Sequence, residues 1–70
     1  MCLSIVYKDI VDEKNILMKN VMSIETNNNH LVFTDLMERK LIVDGKLNVA
    51  NLVDGYVIVH VEDKKLWVSL

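Results

Sequence analysis

Cys2 is the only cysteine among seventy residues, and it stands one residue from the amine. A thiolate is a good ligand for divalent transition metals. Position 2 adds a second donor. Cysteine is small enough for methionine aminopeptidase to remove the methionine before it. The new terminus would carry an α-amine and a thiolate on adjacent carbons, which together close a five-membered chelate ring on one metal. With Met1 retained, the deprotonated amide of Cys2 closes a similar ring, at the higher cost of ionising an amide. A plainer reading stands beside this one: a lone thiol near a terminus is more often an inert small hydrophobe.

The other chemistry-bearing residues form no recognisable set. His30 opens a β-like run and His60 lies inside another. Their spacing matches no metal motif, and a lone histidine more often serves packing or solvent. Met18, Met22 and Met37 are soft donors better read as core filling. Asp9, Asp12 and Glu13 read as a solvated loop. Tyr56 and Trp67 read as packing or interface aromatics, because stacking on a base needs a basic surround. That surround is missing. Eight Lys and Arg are scattered among ten acids for a net charge of −2, with no basic stripe for nucleic acid. No glycine-rich phosphate loop, Cys-His pair or Ser-His-Asp set is present, so the chain reads as a binder and not an enzyme.

The elements that would position Cys2 are short β runs. Leu3, Ile5 and Tyr7 alternate with Cys2, Ser4, Val6 and Lys8. Residues 21–26 and 30–35 form a hairpin around Asn27, Asn28 and Asn29, since asparagine tolerates the left-handed conformation a turn demands. Residues 39–43 make a further strand, which Asp44-Gly45 is expected to end in a tight turn. Residues 47–52 alternate, Asp54-Gly55 turns again, and residues 56–61 are dense in β-branched side chains. Residues 66–70 would add a last strand. Residues 9–19 fit a loop, a short helical turn or a bent strand at 15–18. The expected fold is all-β: one domain over residues 1–70, a small antiparallel barrel of five to six strands with SH3/Sm-like, meander topology.

Seventy residues give a thin core, and the 51% of apolar residues exceed what a lone small domain easily hides. With no internal disulfide available, a metal or self-association is left as the stabiliser, and a homodimer is expected. No apolar run approaches membrane-spanning length, and no charged segment followed by an apolar one marks a secretory signal. A free thiol without an export signal points to the cytoplasm.

Four stretches carry a family resemblance: Met1-Cys2 running straight into a strand, "KNVMSIET" at 19–26, "LVFTDLMERKLIVDGKL" at 31–47 and "VANLVDGYVIV" at 49–59. Together they resemble the CooT family of small nickel-binding accessory proteins, associated with maturation of the nickel enzyme carbon monoxide dehydrogenase. The resemblance implies a homodimer of small β barrels in which Cys2 of each chain serves one nickel(II) site near the two-fold axis. Nickel(II) favours square-planar sites, and two N,S pairs would fill one. It also implies carbon monoxide dehydrogenase or its maturation proteins as partners. The alternative is an Sm-like RNA-binding or scaffold barrel without metal, which would rest on fold analogy alone.

Overall fold

A computed structural model describes residues 3–62. Five strands form its framework: β1 (Ser4–Lys8), β2 (Ile16–Asn27), β3 (His30–Asp35), β4 (Lys40–Asn51) and β5 (Tyr56–Val61). They are ordered β1-β2-β3-β4-β5 in a closed barrel. The expected all-β meander is therefore present, with five strands among the described residues. The strand expected at residues 66–70 lies outside them, as do Cys2 and Trp67.

The closing seam differs from an antiparallel meander. Each sequence-adjacent pair is antiparallel, but β1 and β5 run parallel, with Ile5 opposite Tyr56 and Lys8 opposite Val59. Parity is the reason. Strands that alternate up and down leave the first and the fifth pointing the same way, so closing an odd ring needs one parallel contact.

Two long strands bend to serve two neighbours each. The first half of β2 pairs with β1, its second half pairs with β3, and Val21 faces Ser4 on one side and Asp35 on the other. The bend falls at Asn20, whose φ of 57° is the left-handed conformation that asparagine tolerates better than most residues. Likewise β4 pairs with β3 through Asp44 and with β5 from Gly45 onward. The expectation of a turn at Asp44-Gly45 is thereby corrected, because β4 runs through it as one strand. Gly45 is instead the corner, where β4 passes so close to β5 that a Cβ would overlap the His60 carbonyl oxygen.

The other turns fall where their residues ask for them. Asn28, with φ 55°, lies between β2 and β3, and Gly55, with φ 78°, precedes β5. Between β1 and β2 the chain makes a 3-10 turn at Glu13–Asn15, capped by Asp12, whose carboxylate accepts from the Lys14 N–H at 3.1 Å. Of the readings open for residues 9–19, the structure combines a short helical turn with a strand that begins at Ile16.

The core is made of Val6, Val21, Leu31, Phe33, Val43, Val57 and Val59. Valine dominates because a narrow barrel leaves little interior volume, and a β-branched side chain fills it from an extended backbone without much rotamer loss. Val6 is the inward residue of β1, while Leu3, Ile5 and Tyr7 are only half-buried. It meets Val57 across the parallel seam. Outside that seam, Tyr7 and Tyr56 pack edge to face with centroids 6.5 Å apart.

Candidate functional site

The segment that carries Cys2 joins the barrel at Leu3, beside the turn between β4 and β5. The Ile5 N–H donates to the Gly55 carbonyl at 3.0 Å, and the Leu3 carbonyl oxygen sits 3.3 Å from where a Gly55 Cβ would stand. The turn is itself tied down by Asn51. Its side-chain oxygen accepts from the Asp54 N–H at 3.0 Å, its amide donates to Tyr56 Oη at 3.3 Å and to Asp54 Oδ2 at 3.2 Å, and its carbonyl accepts from the Gly55 N–H at 2.9 Å. The start of β1 is therefore tied, through Ile5, to a turn that is itself hydrogen-bonded.

Apolar side chains surround this entry point. Leu52 and Val53 at the tip of the turn are 69% and 94% exposed. Leu52 borders a shallow depression lined by Ser4, Val21, Met22, Ser23 and Ile24. Met22, read from the sequence as core filling, is 44% exposed here, and Met37 is 73% exposed in the turn between β3 and β4. Met18 does pack against the core.

The histidines lie elsewhere. His60 Nδ1 is 3.1 Å from Asp9 Oδ1, past the far end of β1, and His30 Nδ1 is 4.0 Å from Asp44 Oδ1. At about 3.3 Å per residue, the run of β1 from Leu3 to Asp9 separates them from the strand's start by roughly 15–20 Å. Among the described residues no three His, Cys, Asp or Glu side chains are grouped to hold a metal.

One ordered polar cluster was not singled out from the sequence. Asp35 is 2% exposed, yet it pairs with Arg39. Its Oδ1 accepts from the N–H groups of Met37 and Arg39 at 2.9 and 2.8 Å, and its Oδ2 accepts from Arg39 Nε at 2.8 Å. Burial pushes the carboxyl up, but the Arg39 N–H, the Arg39 guanidinium and the Met37 N–H together outweigh it and hold the group below its ordinary value. The cluster shapes the turn between β3 and β4 and fastens it to β2, where the Leu36 N–H donates to the Asn20 carbonyl at 2.9 Å. The legible signal was an Asp four residues before an Arg across a strand end.

A lowered native pKa stabilises the fold above the unfolded value of about 3.9, and the contribution fades as pH falls through the native one. Asp35→Asn is therefore expected to lower the melting temperature at neutral pH, and the gap to wild type should narrow below about pH 4. Thermal melts followed by circular dichroism measure both. A gap that stayed constant into acid would show that the carboxylate's charge does not hold the turn.

The family model described as CO dehydrogenase accessory protein CooT matches residues 1–60. The chain belongs to the CooT family. A crystal structure provisionally assigned as CooT from Carboxydothermus hydrogenoformans superposes with a TM-score of 0.77 at 16% identity, over 89% of this chain and all of that one. At that identity the likeness establishes a shared fold. Comparison with curated protein sequences returns no match. The CooT match runs from residue 1 through β1 and nearly to the end of β5, so the terminal Met1-Cys2 is inside the shared region. No helix among the described residues of this chain is long and apolar enough to cross a membrane.

Proposed function

We propose that this CooT family member is a cytoplasmic, non-enzymatic nickel(II)-binding protein that acts as a homodimer. Its shared metal site is built on Cys2 of both chains, and it supports maturation of carbon monoxide dehydrogenase. The observation that supports the reading is the family match over residues 1–60, a span that includes the chain's only thiol. Chemistry supports it: a thiolate with an adjacent amine or amide nitrogen is a strong-field pair, and two such pairs satisfy a square plane. Symmetry supports it as well, because a residue near a two-fold axis appears twice. The apolar rim of Leu52, Val53 and Met22 beside the start of β1 is a surface of the kind a second copy would cover. One domain over residues 1–70 is sufficient for this role.

The test is a nickel(II) titration of the full chain, followed by absorbance and by proton release. A thiolate-to-metal charge-transfer band that saturates at half a metal per chain, with protons liberated as the thiols ionise, is the expected result. Saturation at one metal per chain, or no band, would overturn the shared site. Light scattering on the same samples reports whether the mass is that of two chains.

A further inference from the structure

We propose that the open edge of β2 at residues 16–19 takes up an acidic, extended segment of a partner protein as an added strand. The long strands of the ring lend only part of each edge to their neighbours. At Val21 both edges of β2 are taken, one by Ser4 and the other by Asp35. Towards Ile16 only β1 pairs with it, because β3 ends at Asp35 and the chain turns away to β4. Among the described strands none lies along the second edge of residues 16–19. The last contact on that side is the Leu36 N–H, which donates to the Asn20 carbonyl at 2.9 Å. A strand laid there in line with β3 would meet main-chain donors and acceptors of β2.

Charge names the occupant. Beside this edge lies a cleft of about 540 Å³ whose walls include Leu17, Lys19, Asp35, Arg39, Lys40 and Leu41. The basic residues are scattered along the sequence, but these three meet here. One acid, Asp35, stands against them, so the cleft carries a balance of +2 in a chain whose net charge is −2. Two of the cations are held in place: Arg39 Nε donates to Asp35 Oδ2 at 2.8 Å, and Lys40 Nζ donates to Thr34 Oγ1 at 3.1 Å. The Arg39 side chain is still 74% exposed, and its terminal N–H groups meet no acceptor among the described residues. A guanidinium fixed at Nε with its outer edge open is prepared for a carboxylate. A lysine on an open edge deters pairing with a like strand, and three cations favour a strand of opposite charge. No aromatic side chain lines the cleft to stack on a base, and an open main-chain edge is matched by another main chain, so a peptide fits and a nucleic acid does not.

The probe is an acetylated, amidated peptide of alternating Glu and Val, about six residues long, enough to span the open edge. Titrated into the full chain, it should shift the backbone amide resonances of residues 17–20 and 39–41 saturably, with a Kd below about 1 mM, and slow amide exchange along residues 16–19. The same peptide with Lys in place of Glu should shift none of them. A version N-methylated at alternate residues keeps every charge but cannot pair as a strand, and it should bind at least about ten-fold more weakly. Lys19→Glu, at an exposed position, should weaken binding of the acidic peptide about five-fold or more and leave the melting temperature near wild type. No saturable shift with the acidic peptide would overturn the proposal. So would equal binding of the N-methylated peptide, which would leave charge alone at work, or unchanged affinity in a folded Lys19→Glu protein. Polyuridylate that shifts the same amides more tightly than the acidic peptide would also overturn it, in favour of a nucleic acid. If Lys19→Glu does not fold, the N-methylated peptide on the wild-type protein decides.

Discussion

Cys2→Ser is expected to abolish tight nickel(II) binding and to leave the barrel folded. The substitution keeps the size of the side chain and replaces a thiolate with a hydroxyl that stays protonated near neutral pH and ligates nickel poorly. One side-chain atom changes, and the described core, which begins at Val6, is left as it is. The charge-transfer band should vanish, and the melting temperature without metal should match wild type. His30→Ala and His60→Ala should leave the affinity nearly unchanged, because both rings sit against Asp44 and Asp9 at the other end of the strands. A Cys2→Ser protein that bound nickel with wild-type affinity would remove the only specific residue from the metal reading.

Gly45→Ala should leave most of the protein unfolded, a large response to one methyl group. The added Cβ would overlap the His60 carbonyl oxygen and lie 3.0 Å from both the His60 carbonyl carbon and the Val61 Cα. All three are backbone atoms, so no side-chain rotation relieves the clash. Nor can β5 retreat, because β1 holds its other edge through Tyr7 opposite Ile58 and Lys8 opposite Val59. Ordinary overpacking costs about 1–3 kcal/mol, and a core of this size supplies roughly 3–5 kcal/mol in all. Here a strand of the closing seam must move, so the cost should reach or pass the upper end. Gly55→Ala is the internal comparison. Its left-handed φ of 78° costs a side chain about 1–2 kcal/mol, but the nearest atom, the Leu3 carbonyl oxygen, stands 3.3 Å off and the turn is exposed. Urea unfolding of both variants ranks them, and a Gly45→Ala midpoint at or above that of Gly55→Ala would show that the corner yields.

The sequence by itself determined β3, β5 and the turns that precede them. Residues 30–35 and 56–61 read as strands from period-two alternation and β-branched content, and β3 and β5 occupy those spans. Asn28 and Gly55 adopt the left-handed conformations that their side chains, or lack of one, make cheap. These are local properties, set by a residue and its immediate neighbours, and they survive being read in a line. The resemblance carried by Met1-Cys2 and the three later stretches was likewise legible, and the family match over residues 1–60 bears it out.

Tertiary structure decided what depends on residues far apart in the chain. Asp44-Gly45 has the composition of a turn, yet β4 continues through it, because the missing Cβ is needed for the approach of β5 fifteen residues later and not for a reversal. The parallel seam follows from how many strands the ring holds, which no single segment encodes. Asp35 is not singled out from the sequence, and its role appears only once the turn folds its own N–H groups and Arg39 around it, in a space closed off by β2. Whether an aliphatic residue of β1 faces inward was settled the same way: Val6 is buried and Ile5 is not, since the seam with β5 sets which face of the strand meets Val57 and Val59. Alternation names two faces, and only the strands packed around them choose the one that is inside.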